Sequence, residues 1–388
     1  MRVIGSKHRL VKHSLSIPTG LRSNFLVLCA LLVSCAGLTS CSHLPKRTQK
    51  EYVYVTAKET YLRDRVAAVS NRTATVTNGE RLHVLEHGKR FLRVETDKQE
   101  SGWIDEKAVV TQAIYNEFAD LKAKHKKDVP VATATVHDEV NMHLTPGRDT
   151  EHFFRLAEND KLELLGRATL PRTQVKPTVT DPSMPEPEIP MEDWWLARNA
   201  KGDTGWLLSR MMDIEAPDEL TRYAEGQRIV GAYVLTRVDD PDAPQEIKQV
   251  PEYVTVMGPY KAGLPYDFDQ VRVFTWNRAK HRYETAYRDR NIVGFLPMQL
   301  GQGRDPYDKS PNALETMPTF SYKVLAADSP EVTPDPTTGE IAPKNTITKT
   351  YRLEGNLVRR ILDPGTKAPQ EAHPAAPEKK ETKQKHKR

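Results

Sequence analysis

A pattern written twice sets the strongest limit on how this chain folds. Leu162, Leu164 and Leu165 of "NDKLELLGR" stand 80 positions beyond Leu82, Val84 and Leu85 of "GERLHVLEH". At the same offset Glu139 matches Glu59, Met142 matches Leu62 and Leu156 matches Val76. Gly205-Trp206 of "TGWLLS" then lies 103 positions beyond Gly102-Trp103 of "SGWIDE". The larger offset measures an insertion, "ATLPRTQVKPTVTDPSMPEPEIPM", whose six prolines predict a mobile loop or an extended polyproline flap. Each copy is a run of short β-type stretches broken by turn clusters, which predicts a small antiparallel barrel or sandwich. Within "RLHVLEH" alternation puts Leu82 and Val84 on one face and Arg81 and His83 on the other, after a turn at Asn78-Gly79.

Between the copies, Ile114, Phe118 and Leu121 recur at helical spacing and predict a short amphipathic helix with a basic end, "KAKHKK". That basic run reads as a solvated helix end rather than a nucleic-acid patch.

Both copies resemble the bacterial SH3 domain. The first carries the resemblance in "AKETYLRDRVA", "NGERLHVLE", "FLRVET" and "GWIDEKAV", the second in "HDEVNMHLTPGR", "NDKLELL" and "WWLARNAKGDTGWLLSRMM". Arg63 keeps the family's Leu-Arg pairing whereas His143 replaces it, and Gly79 of the Gly-Asp turn becomes Asn159. The resemblance implies binding of peptidoglycan peptides or other short extended peptides through aromatic faces and strand edges. Trp103 and Trp206 are expected either to fill the barrel core or to reach such a ligand. Trp194 and Trp195 are neighbours on an alternating strand, so one of them should be exposed, with Trp194 the ligand candidate.

The N-terminus points to the compartment. Arg2, Lys7, Arg9, Lys12 and Arg22 precede the apolar run Phe25 to Leu38, no acid stands before Cys41, and small residues follow the run. This is the layout of a secretory signal, and the run is too short for a comfortable transmembrane helix. Leu38-Thr39-Ser40-Cys41 resembles the lipobox of bacterial lipoproteins, which implies a diacylglycerol on the Cys41 thiol. Leu32-Val33-Ser34-Cys35 fits the same pattern with a shorter apolar run. Cys41 is favoured, and Ser42 after it implies the outer membrane, facing the periplasm. Cys29, Cys35 and Cys41 are the only cysteines, so no disulfide framework, thiol catalysis or thiolate metal site is expected beyond them. The formal charge of +5 is the five basic residues of this leader, which leave 52 Lys and Arg against 52 Asp and Glu. A strong pull toward nucleic acid is therefore not indicated.

From about Gly226 the chain alternates through seven or eight further strands, with hairpins predicted at Asn277 to Lys280 and at Gly355-Asn356. A sandwich is expected, with a propeller-blade-like sheet as the alternative. Tyr283, Thr285 and Tyr287 fall on one face by alternation, either an exposed ligand face or a half-buried strand. His281 is the only histidine between His152 and His373, and no nucleophile elbow, phosphate loop or dinucleotide fingerprint occurs. Asp267, Asp269 and Glu284 are the carboxylates that would serve a glycoside hydrolase. Gly365 to Arg388 holds seven basic and three acidic residues without periodicity, and disorder is expected there.

The expected organisation is mainly β: a signal peptide over 1–40, a tether over 41–50, an SH3-like barrel over 51–110 and a linker helix over 111–128. A second SH3-like barrel over 129–215 carries the Pro-rich insertion 167–191. An antiparallel sandwich-like domain spans 222–363 and a basic tail 364–388. The expected function is a non-enzymatic, lipid-anchored envelope protein that binds cell-wall peptide or glycan, or a protein partner, with neither cofactor nor metal. Lipid goes on Cys41, and Trp194, Trp103, Trp206, Tyr61, Tyr283 and Tyr287 are the candidate ligand contacts. The alternatives are a carboxylate-based cell-wall hydrolase and a structural envelope assembly factor.

Overall fold

The computed structural model describes residues 50–172, 189–307 and 310–374, apart from 245 and 247. The signal peptide, Cys35, Cys41, most of the tether, the middle of the insertion (173–188) and the tail beyond 374 lie outside the described residues.

The chain is mainly β, arranged in three antiparallel sheets among the described residues. The first holds β1 (Tyr52–Val55), β2 (Glu59–Arg63), β3 (Arg72–Thr77), β4 (Arg81–His87), β5 (Phe91–Glu95), β6 (Ser101–Asp105) and β7 (Val109–Thr111). Their order is β3-β2-β6-β5-β4-β1-β7. The second holds β8 (Ala132–Val136), β9 (Val140–His143), β10 (His152–Leu156), β11 (Lys161–Pro171), β12 (Met191–Asn199), β13 (Thr204–Leu208) and β14 (Met212–Ile214). Its order, β10-β9-β13-β12-β11-β8-β14, is the same connectivity written again.

The repetition extends to individual registers. Arg63 pairs with Trp103 in the first sheet and His143 with Trp206 in the second. The bulge that leaves out Leu85 in β4 recurs at Leu165 in β11. The turn before each of these strands needs a left-handed residue, which is Gly79 (φ 83°) in one copy and Asn159 (φ 67°) in the other. Asparagine tolerates that conformation better than most residues, so the replacement keeps the turn.

Core packing explains why glycine precedes each tryptophan. A Cβ on Gly102 would lie 2.7 Å from the Leu62 Cβ and 2.6 Å from the Thr73 hydroxyl. One on Gly205 would lie 2.7 Å from the Met142 Cβ. The neighbouring strand crosses too closely for any side chain, and the core fills instead from Val55, Leu62, Val76, Leu82, Val94 and Ile104 in the first sheet.

Helix α1 (Gln112–Lys124) joins the two sheets, opened by the Thr111 hydroxyl accepting from the Ile114 amide. Its apolar face buries Phe118 against Tyr54, Val110 and Phe153, a burial that contributes about 2 kcal/mol. The basic end is not wholly solvated, since the Lys122 ammonium reaches the Asp203 carboxylate at 2.9 Å. Among the described residues no helix is long and apolar enough to cross a membrane.

The third sheet runs in chain order: β15 (Arg228–Asp239), β16 (Gln249–Gly258), β17 (Phe268–Asn277), β18 (Arg282–Gly303), β19 (Met317–Leu325), β20 (Thr346–Glu354) and β21 (Leu357–Arg360). It is a single meander, in place of the expected pair of facing sheets. The second layer is supplied in part by the preceding module, because Trp195, Leu164 and Met212 share one apolar cluster with Val254, Phe268 and Tyr322. Two further expectations change. The insertion does not start as a loop, because Arg167 to Pro171 stay in β11 and pair with Met191 to Trp195 of β12. The start of the tail is also anchored: the Ala372 amide donates to the Leu325 carbonyl at 2.9 Å, and Glu371 meets Lys349 at 3.0 Å. Lys349 is 3% exposed and needs carboxylates around it, so the chain closes back over the sheet as far as His373, whose ring contacts the Asn291 carbonyl.

Candidate functional site

Along β6 the alternation is set by the glycine contact: Gly102 and Ile104 face the core, so Trp103 points outward and is half-buried. Trp206 sits in the same position in β13, between buried Gly205 and Leu207. Neither tryptophan belongs to a core cluster, so neither fills the interior of its module.

Around Trp103 the first module forms a shallow cleft of about 490 Å³ walled by Val66, Gly88 and Phe91, with Arg65, Lys89 and Arg90 at its rim. The loop from Asp64 to Asn71 forms one lip and exposes Val66 and Val69, the latter 80%. The tight turn at Gly88 forms the other lip, where an added Cβ would stand 3.0 Å from the Trp103 ring. Arg93 of β5 and Arg63 of β2 both lie opposite Trp103. Tyr61, two residues from Arg63, shares that outer face, and the Arg72 guanidinium lies 3.9 Å over its ring. The result is an aromatic floor edged by cations. It can hold an extended chain by apolar contact while meeting anionic groups at the rim.

The second module closes the equivalent surface. Trp194 takes the position of Phe91, 103 residues earlier, yet is only 3% exposed. Trp195, on the opposite face, is 2% exposed, so the expectation that one of the pair is accessible is wrong. Two residues before Trp194 on β12, Glu192 accepts from Arg148, in the loop between β9 and β10, on both carboxylate oxygens at 2.9 and 3.1 Å. Trp194 itself packs edge-on to His143 at 5.2 Å. Burial, with the His152 ring nearby, lowers the His143 pKa to about 4. The Arg148 hydrogen bond likewise lowers the Glu192 pKa.

The tyrosines of the third sheet do not form a shared face. A bulge at Ala286 shifts the register, so Tyr283 lies opposite Trp276 while Tyr287 lies opposite Val273. Tyr283 is buried, with its hydroxyl donating to the Pro251 carbonyl, and half-buried Tyr287 packs 4.9 Å from Tyr351. Both are packing residues.

Of the three candidate carboxylates, Glu284 lies apart from the two aspartates. Asp267 accepts from the Arg167 guanidinium at 2.9 Å and from the Leu296 amide. Asp269 accepts from Gln227, and burial raises its pKa. Glu284 pairs with Thr275, six residues along β17 from Asp269, which is about 20 Å at roughly 3.4 Å per residue. A glycosidase holds its two carboxylates within about 10 Å, so Glu284 cannot partner either aspartate. Its own pKa is lowered to about 2, chiefly by the Asn277 amide and then Lys280. Among the described residues no group of three His, Cys, Asp or Glu could hold a metal.

Sequence reasoning missed Phe91, Val66 and the Arg148–Glu192 clamp. The first could have been found by carrying the repeat offset from Trp194 back to position 91. The clamp joins residues 44 apart and has no local signature.

No protein-family model matches the chain, and no curated protein matches it. Similarity is found to solved structures. NlpC2 from Trichomonas vaginalis shows 11% identity and a TM-score of 0.14, covering 46% of this chain and 56% of that one. An NlpC/P60 family protein from Bacillus cereus shows 9% identity and a TM-score of 0.21, covering 60% and 98%. NlpC1 from Trichomonas vaginalis shows 9% identity and a TM-score of 0.15, covering 63% and 92%. The chain thus spans little more than half the length of NlpC2. At TM-scores this low the matches define no shared fold.

Proposed function

We propose that this chain is a non-enzymatic, lipid-anchored protein of the bacterial cell envelope. It carries two SH3-type modules, of which the first binds an extended, acidic cell-wall peptide or glycan, or a segment of an envelope protein. The observation that carries the reading is the open cleft at Trp103, aromatic on its floor and basic at its rim. The repeated strand order and the recurrent glycine-tryptophan geometry support reading each sheet as an SH3-type barrel. The second module, closed over Trp194 and packed on the third sheet, serves as the mount. A lipid on Cys41 would hold the assembly at the outer membrane, facing the periplasm, because several acyl chains on one residue anchor where a single chain does so only marginally.

The test is co-sedimentation of the full chain, in detergent, with purified sacculi. Retention without release of soluble fragments is expected. Release of fragments would instead make the protein a wall hydrolase, and neither retention nor release would make it an assembly factor.

A further inference from the structure

A second cavity lies where the second module meets the third sheet, lined by β12, β13, β14, the start of β15 and the loop 260–262. It measures about 620 Å³, and Met191, Leu208, Met212 and Ile229 give it apolar walls. At about 30 Å³ per water it has room for roughly twenty waters, the scale of a small peptide. The rim is tightly fitted. Gly263 has φ of 79°, its amide donates to Asp193 at 3.1 Å, and a Cβ there would stand 2.5 Å from that of Met191.

Two polar atoms in the wall of this cavity make no hydrogen bond among the described residues, although their side chains form a loose ion pair. Asp193, with its side chain 2% exposed, receives Arg167, Thr169 and Gly263 on one carboxylate oxygen. Its other oxygen, Oδ2, is buried without a hydrogen-bond partner among the described residues. The Nε of Arg228 is buried and equally without an acceptor, and its guanidinium lies 4.0 Å from that same oxygen. A buried donor or acceptor without a hydrogen bond costs about 1–3 kcal/mol, so this loose pair in the cavity wall would gain from an added partner. Arg210 and Lys261 also line the cavity, as do the carboxylates of Glu192 and Asp213, and the Arg210 charge acts on Glu192.

We propose that this cavity binds the terminal carboxylate of a short peptide with small apolar side chains. The carboxylate meets Arg228, with Lys261 adding positive field. The last peptide N–H donates to Asp193 Oδ2, and the side chains lie on the methionine and leucine walls. The free acceptor on Asp193 is what selects a peptide: a fatty acid or inorganic phosphate satisfies the guanidinium but brings no amide donor. The residues involved are not those of the Trp103 cleft, and the site stands whether or not that cleft binds the wall.

The test titrates the full chain with Ala-Ala-Ala, its C-terminal amide and inorganic phosphate, followed by calorimetry or ligand-observed NMR. The free acid should bind, and the amide should bind about tenfold more weakly or worse, since it loses a charge-assisted contact. Arg228→Gln, with unchanged melting temperature, should lose a similar factor for the acid alone. The proposal is overturned if acid and amide bind alike, if phosphate binds as well as the peptide, or if nothing binds at millimolar peptide. It is also overturned if folded Arg228→Gln binds the acid as tightly as the unaltered protein. If that variant does not fold, the acid-to-amide comparison on the unaltered protein decides by itself.

Discussion

Arg148 grips both carboxylate oxygens of Glu192, two residues along β12 from Trp194, which is buried where the first module leaves its surface open. The two side chains are 24% and 14% exposed, dry enough for the pair to matter. Arg148→Ala should therefore cost about 1–3 kcal/mol in urea unfolding, as the loss of the two-oxygen grip, with Arg172 left beside Glu192 at 3.7 Å. It should also make Trp194 accessible to acrylamide quenching while Trp103 fluorescence is unchanged. Quenching of Trp194 no greater than before would show that something else covers it.

Glycine and tryptophan of the repeated motif should respond in opposite ways. Gly102→Ala forces a methyl into Leu62 and Thr73, and should cost about 2–3 kcal/mol. Trp103→Ala removes a half-buried outward ring and should cost about 1 kcal/mol or less. Equal losses in denaturant titrations would return Trp103 to the core.

The repeat was legible in the sequence because it rests on local alternation and on turns, and these repeat wherever the sheet order does. Leu82 and Val84 inside, Asn78-Gly79 in the turn and the hairpin after Asn277 all follow from that period of two. The errors share a different cause. Tyr287 left the face of Tyr283 because one bulged residue, Ala286, inverts every later position in the strand. Trp194 was misread because alternation says which face a residue takes but not what lies over that face. Arg228 and Asp193 meet only because two sheets pack together, so their relationship has no trace in either segment.

Acid should weaken the protein through His143. Its folded pKa, about 4, lies below the roughly 6.5 of an unfolded histidine. The folded state prefers the neutral ring, so this contribution is complete above about pH 6.5 and is lost as pH falls toward 4. After allowance for the ring's partial solvent access, the loss is about 2 kcal/mol. Unfolding titrations at neutral and acid pH should show a gap that narrows by that amount in His143→Gln. An unchanged gap would place the acid sensitivity elsewhere.

The closing strap should be measurable by truncation. Removing residues beyond 374 should leave stability unchanged. Ending the chain at Asp363 removes Glu371 from buried Lys349, leaving Asp289 as its remaining carboxylate. That truncation should cost about 1–3 kcal/mol. Identical melting of the two truncations would mean that the strap adds nothing.

In the proposed function the open cleft of the first module, and not its counterpart in the second, holds the envelope ligand. The direct measurement is the affinity of the full chain for purified sacculi, for unaltered protein, Trp103→Ala and Trp206→Ala. The account predicts a loss of about tenfold or more for Trp103→Ala, the scale of a central aromatic contact, and little change for Trp206→Ala. Binding by Trp103→Ala equal to that of the unaltered protein would contradict it.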